Sequence, residues 1–387
     1  MDIGNLVSDK VSAIKLSPIR RFSNMVNNVP GALTLTIGQP DFSTPEEVKN
    51  AGIQAIKNDM TTYTANQGYM DLRKEISKLV KNNYNLHYDP ADEITVTVGA
   101  SQAIDVILRT IINPGDEILI PSPGYVAYEA CISLSGGKPV FVPLKPEDGF
   151  KLKAQTLKEY ITPKTKALLL SYPSNPTGAV MDEDDLIKLS EVIKGTHVAI
   201  ISDEIYSELT YGKKHFSIAS IDDMKERTIV INGFSKAYSM TGWRLGYILA
   251  PKKIMEHIVK VHQYNVSCAP SVSQAAGIEA IRSCDKNIKE MVTEYDKRRT
   301  YCHNRLKSMD LDCFEPLGAF YLFPEIKKFN LSSEEFCTRL LYEGKLAVVP
   351  GSAFGGYGEG HLRISYAYSM DILEDGLNRL QKFISKL

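Results

Sequence analysis

Short apolar runs alternate with helical patterns through the middle of the chain. Residues 94–98 read as a strand, 101–112 as a helix, and 117–120 as a strand that Pro121 ends. Residues 166–171 (KALLLS) form another strand pattern, followed by Pro173 and Pro176. Residues 182–194 read as an amphipathic helix that stops at Gly195. Residues 197–202 (HVAIIS) and 227–232 (RTIVIN) are further strands. Continuous apolar runs between helices, rather than strict alternation, predict strands buried on both faces. That pattern belongs to an α/β fold with a mostly parallel sheet.

The pattern changes near residue 280. Residues 284–309 make one long, highly charged helical stretch. After it come residues 318–323, a helix over 333–343, a strand over 347–350, a Gly-rich loop over 351–360, a strand over 361–368 and a last helix from Asp371. The expected division is an arm over 1–40 that contributes to the small unit and the site, a large unit over 41–283, and a small α+β unit over 284–387.

Composition narrows the partners. Lys+Arg 45 against Asp+Glu 46 leaves a formal charge of −1 over 387 residues. A balanced surface gives no general attraction to nucleic acid or anionic membranes. Neither a signal-peptide core nor a membrane-length apolar run occurs. Six cysteines without a CxxC pair read as reduced thiols of a cytoplasmic protein, and no metal site is expected.

Candidate chemistry follows three of the strands. KALLLSYP leads into Ser174-Asn175-Pro176-Thr177-Gly178, HVAIIS into Asp203-Glu204-Ile205-Tyr206, and RTIVINGF into Ser235-Lys236. Ligands of open α/β sheets lie outside the carboxyl ends of strands, so Asn175, Asp203, Tyr206 and Lys236 are expected at one rim. Taken singly, an Asp or Asn-Pro at a strand end is a turn and a lone Lys is a surface charge. Their succession after buried strands argues for a site. Gly99-Ala100-Ser101-Gln102 follows a strand and opens a helix, where backbone N–H groups and the helix dipole favour an anion. No dinucleotide or P-loop fingerprint occurs.

SNPTG, SDEIYSEL and GFSKAYSMTGWRLG resemble the signature blocks of class I/II aminotransferases, pyridoxal-phosphate enzymes of fold type I. The resemblance runs from TIGQPDF to HLRISYA. GASQAIDVILRT, VHQYNVSCA and PGSAF bring the chain nearest to the bacterial N-acetyl-diaminopimelate and aromatic aminotransferase group. That resemblance implies fold type I, a pyridoxal 5'-phosphate cofactor and a role in amino-acid biosynthesis, lysine in particular.

The resemblance also implies roles. Lys236 would hold the cofactor covalently and act as general base and acid. Asp203 would keep the ring nitrogen protonated, and Asn175 and Tyr206 would serve the ring oxygen. Tyr125 would cover one ring face, and Ala100, Ser101, Gln102, Ser235 and Arg244 would hold the phosphate. Arg363 would bind the substrate α-carboxylate, with Asn175 and a backbone N–H of Gly38 beside it. Tyr63 would reach the phosphate of a second subunit in a homodimer with shared sites. The implied reaction is ping-pong transfer between an L-amino acid and a 2-oxo acid. Glutamate and 2-oxoglutarate would pair with N-acetyl-diaminopimelate or an aromatic amino acid. A carbon–sulfur β-lyase and an aspartate or alanine aminotransferase share the same residues. Arg20, Arg21 and Lys15 are candidates for a distal carboxylate.

Overall fold

A computed structural model describes residues 3–387. Its strands in chain order are β1 (Leu33–Thr34), β2 (Ile94–Thr97), β3 (Glu117–Ser122), β4 (Lys138–Pro143), β5 (Thr165–Ser171) and β6 (Ala199–Asp203). There follow β7 (Thr228–Gly233), β8 (Gly246–Leu249), β9 (Tyr321–Leu322), β10 (Leu346–Ala347), β11 (Val349–Pro350) and β12 (Leu362–Ser365). Strands β2 to β8 form one sheet in the order β2-β8-β7-β6-β5-β3-β4. Only β8 runs antiparallel to its neighbours.

The continuous apolar runs bury both faces of this sheet. In β5, Ala167 and Leu169 join Ile201, Ile231 and Ile248 in one layer. Leu168 and Leu170 join Ile200, Leu186 and Leu189 in the other. The first layer contains side chains of the helices Gly99–Ile111, Ala127–Leu134 and Lys252–Val266. The second contains those of Ala154–Tyr160 and Glu183–Lys194. Each fully buried aliphatic side chain is worth about 1.5–3 kcal/mol, so these layers carry most of the sheet's stability. Asp182 starts the helix Glu183–Lys194 as its N-cap, accepting the Asp185 N–H at 3.1 Å.

In the C-terminal part, the small sheet β11-β12-β9 packs with the helices Asp285–Ser308, Ser333–Gly344 and Met370–Ile384. Phe22 and Leu35 join this core, and β1 pairs in parallel with β10.

Three sequence expectations need adjustment. The strand expected to end at Pro121 runs on to Ser122. It pairs with β5 only as far as Leu119, so Pro121 has one neighbour there and its missing N–H leaves no gap. Residues 347–350 divide between two sheets, with β10 against β1 and β11 against β12. The strand expected over 361–368 shortens to β12, and residues 318–323, given no element from sequence, contain β9.

All six cysteines are free thiols. Among the described residues no helix is long and apolar enough to cross a membrane, and no His/Cys/Asp/Glu group could hold a metal.

Candidate active site

The sheet register places the candidate residues together. Ser171 at the end of β5 lies opposite Asp203 at the end of β6, and Asp203 lies opposite Ile231 of β7. Asn175 follows β5 by four residues, and Lys236 follows β7 by three. The neighbouring carboxylate, Glu204, is also buried, but it accepts from Ser202 Oγ at 2.8 Å and Ser217 Oγ at 2.6 Å and pairs with His215 Nε2 at 2.8 Å. Its oxygens are spent within the fold.

Asp203 is less fully served. Tyr128 donates its hydroxyl to Oδ2 at 2.8 Å and the Ile205 N–H reaches Oδ1 at 3.2 Å. No basic side chain pairs with this carboxylate among the described residues. Burial pushes its pKa from the ordinary 3.8 up to about 6. A buried acid in this state favours any cationic N–H brought against it.

Lys236 Nζ donates to the Gly38 carbonyl at 2.6 Å and sits 5.7 Å from the Tyr206 ring centre and 5.8 Å from that of Phe320. Burial, with the charges of Arg363 and Arg244 behind it, pulls the amine down to about 8. Tyr206 is buried, with its hydroxyl 2.7 Å from that of Tyr321. Tyr125 meets Tyr128 edge-on at 5.4 Å between ring centres.

The pairing of β2 with β8 builds the anion cradle. Thr97 at the end of β2 lies opposite Gly246 at the start of β8, which brings Gly99 against Arg244. Gly99 has φ +73°, and a Cβ there would lie 2.6 Å from Arg244 Nη2. Only glycine lets the guanidinium come so near the helix start. The helix Gly99–Ile111 has no side-chain cap. Among the described residues Arg244 enters no ion pair, and its Nη1 reaches only the Thr241 carbonyl at 3.0 Å. Ser235 is buried and its hydroxyl has no partner among the described residues. Ser101 stands exposed in the first turn, beside Ala100. Gln102 is engaged elsewhere: its Oε1 accepts the Val98 N–H at 2.7 Å, and its amide reaches Asn265 Oδ1 and His262 Nδ1, each at 3.2 Å. Its side chain braces the helix start, and only its backbone is left for an anion.

Arg363 is 1% exposed. Its Nη1 donates to Asn175 Oδ1 at 3.0 Å and its Nη2 to the Thr36 carbonyl at 2.5 Å. The guanidinium lies 4.5 Å from the Tyr321 ring centre and 5.0 Å from that of Phe354. Its Nε is buried without a partner. Gly38 meets the site through its carbonyl, which Lys236 occupies. Tyr63 stands apart, 86% exposed and without a side-chain hydrogen bond among the described residues. Of the distal candidates, Arg21 is paired with Glu334 at 2.7 Å, whereas Arg20 and Lys15 are exposed and have no ion pair among the described residues.

The donor set fits pyridoxal phosphate. An under-compensated buried acid suits a pyridinium N–H, and a half-buried amine of lowered pKa suits an aldehyde. An uncapped helix start with a free hydroxyl and an unpaired arginine suits a phosphate. Two contributors escaped sequence reasoning. Tyr128 lies in the first turn of the helix Ala127–Leu134, just after Tyr125, and nothing in the sequence signals that its hydroxyl reaches Asp203. Tyr321 comes from the C-terminal part of the chain, and nothing in one sequence signals that it lies beside Tyr206.

Residues 30–380 match the family described as aminotransferase class I and II. The chain is 49% identical to the probable N-acetyl-LL-diaminopimelate aminotransferase of Bacillus subtilis over 99% of its length and 96% of that protein's. It is 41% identical to aromatic-amino-acid aminotransferase 2 of Thermococcus litoralis, with 98% of each chain covered. Among solved structures it resembles the aspartate aminotransferase of Thermus thermophilus with maleate, at TM-score 0.93 and 33% identity, covering 97% of this chain and 99% of that one.

Proposed function

The chain belongs to the class I and II aminotransferases, a family whose members use pyridoxal phosphate, and within it we propose a glutamate-dependent enzyme that aminates or deaminates a second substrate carrying a distal carboxylate. The observation that carries the reading is the convergence of Lys236, Asp203 and Arg363 on one rim, with an open anion cradle beside them.

We assign the roles as follows. Lys236 Nζ holds the cofactor's aldehyde carbon, and Asp203 holds its ring nitrogen. Asn175 and Tyr206 hold its ring oxygen, and Tyr125 lies against its face. The N–H groups at Ala100, Ser101 and Gln102, with Ser235 and Arg244, take its phosphate. When bound, the cofactor supplies a carbonyl that accepts the amino group and a ring that withdraws electrons. Arg363 orients the substrate by its α-carboxylate, and its unpartnered Nε supports that use. Once the substrate's amine has displaced it from the cofactor's aldehyde carbon, the Lys236 amine takes the proton from the substrate Cα and returns one in the opposite half of the cycle. The two substrates occupy the same pocket in turn, which makes the kinetics ping-pong.

We also propose the division into an arm over 1–40, a large unit over 41–283 and a small unit over 284–387 that closes on the substrate. A homodimer would give exposed Tyr63 and Tyr264, at 86% and 87% exposure, a surface to cover. Glutamate alone, added to cofactor-loaded protein, is expected to release 2-oxoglutarate up to one equivalent per site and bleach the cofactor's visible band. Pyruvate from cystathionine, with no oxo acid needed, would instead make it a β-lyase.

Arg20 supports the substrate class. Its helix, Pro18–Met25, is tied to the site by the Ser23–Thr36 hydroxyl contact at 2.8 Å, and Thr36 is the residue whose carbonyl holds Arg363. Ser23 lies three residues after Arg20, so the two share a helix face. The charges of Arg363 and Arg20 both bear on the Tyr125 phenol. A second carboxylate suits glutamate and N-acetyl-diaminopimelate, a lysine-biosynthesis intermediate, better than an aromatic amino acid. Arg20→Gln is expected to raise KM for glutamate by about 10- to 100-fold, the worth of one charged hydrogen bond, and to leave KM for alanine or phenylalanine near wild type. Equal changes for all donors in steady-state assays would remove Arg20 from this role.

A further inference from the structure

Tyr321 is absent from the roles assigned above, yet it touches two of the residues that hold them. Its hydroxyl is 2.7 Å from the Tyr206 hydroxyl, and its ring lies 4.5 Å from the Arg363 guanidinium. It is 1% exposed. No Cβ could fit between Gly38 and the Tyr321 oxygen, so the backbone of the N-terminal segment closes that side.

A hydroxyl has one proton, and neither phenol has another partner among the described residues. In a neutral pair one phenol spends its proton on the other. If Tyr206 donated to Tyr321, it would have nothing left to give a cofactor oxygen. If Tyr321 donates, Tyr206 keeps its proton for that oxygen. The surroundings favour the second arrangement. Burial raises the pKa of both phenols and the Arg363 charge opposes the rise at both, but it is the Tyr321 ring that this guanidinium lies against, 4.5 Å from its centre. The more acidic phenol is the better donor.

We propose that Tyr321 is a positioning residue: it donates to Tyr206 and so points the Tyr206 proton at the cofactor's ring oxygen, while its ring seats Arg363. The order of donation is Tyr321 to Tyr206 to the cofactor. A donor that is itself donated to is polarised and becomes stronger. The cofactor's ring oxygen is thereby kept deprotonated at lower pH. This rests on the cofactor placement proposed above.

The test is a pH titration of the visible absorbance of cofactor-loaded protein, on wild type, Tyr321→Phe, Tyr206→Phe and the double variant. Tyr321→Phe is expected to move the midpoint up by roughly one pH unit, because the ring oxygen loses part of its stabilisation. KM for the amino donor stays within about twofold, since the ring still faces Arg363. Tyr321→Leu removes the ring as well and is expected to raise that KM by about tenfold. The double variant is expected to titrate with Tyr206→Phe, because Tyr321 acts on the cofactor only through Tyr206. A Tyr321→Phe midpoint equal to wild type, or shifts that add in the double variant, would overturn the proposal. Wild-type protein that gains no titrating visible band with the cofactor would overturn the placement beneath it instead.

Discussion

Lys236→Ala is expected to lower turnover by about four orders of magnitude, the upper range for one acid–base group, and to lose the covalent hold on the cofactor as well. Two separate functions end with that side chain. The amine is made reactive by its setting: burial and the charges of Arg363 and Arg244 bring its pKa from 10.5 to about 8. At pH 7 roughly a tenth of the molecules then carry a neutral amine, against a few in ten thousand for an ordinary lysine. Only the neutral form can attack an aldehyde or take a proton from carbon. The rate at which cofactor-free wild-type protein attaches the cofactor is therefore expected to rise with pH across about 8. Lys236→Arg should fail as fully as alanine, because a guanidinium stays protonated in this range. The checks are single-turnover kinetics and retention of the visible band after gel filtration. Substantial turnover by Lys236→Ala would take the residue out of its role.

The rim was legible because its residues follow buried strands, and buried parallel strands announce themselves as apolar runs. KALLLS, HVAIIS and RTIVIN located Asn175, Asp203 and Lys236, and the register of β5, β6 and β7 sets those strand ends side by side. The antiparallel strand β8 escaped the sequence reading, because Gly246–Leu249 is four residues long and follows a turn. Its position beside β2 is what carries Arg244 to Gly99, a contact between residues 145 apart in sequence that no local pattern encodes. Gln102 shows the opposite limit. Its place in the first helical turn suggests an anion ligand, but in the fold Val98, His262 and Asn265 already hold its side chain. Tyr128 and Tyr321 matter for a related reason. Each acts on another side chain rather than on a strand end, and packing of that kind is invisible to periodicity.

Asp203→Asn is expected to reduce kcat by about a hundred- to a thousandfold, the usual cost of deleting one fixed electrostatic partner of a reacting system. The same change should stabilise the cofactor-free protein at neutral pH. Burial lifts the Asp203 carboxyl from 3.8 to about 6, so the folded chain binds this proton more tightly than the unfolded chain does. Stability from that preference is fully present below about pH 4 and is lost as pH rises through about 6. A shift of that size corresponds to about 3 kcal/mol. An amide carries no such penalty, and the Tyr128 hydroxyl, now a donor at 2.8 Å, can turn to accept from it. Cofactor-free Asp203→Asn should therefore melt above wild type at pH 8 and near it at pH 4. A pyridinium N–H against the carboxylate removes the wild-type penalty, so adding cofactor at pH 8 should raise the wild-type melting temperature more than the variant's. Melting curves of both proteins, with and without cofactor at the two pH values, give the four numbers required. A variant that melts below wild type at pH 8, or gains as much from the cofactor, would mean that Asp203 is not the acid facing the ring nitrogen.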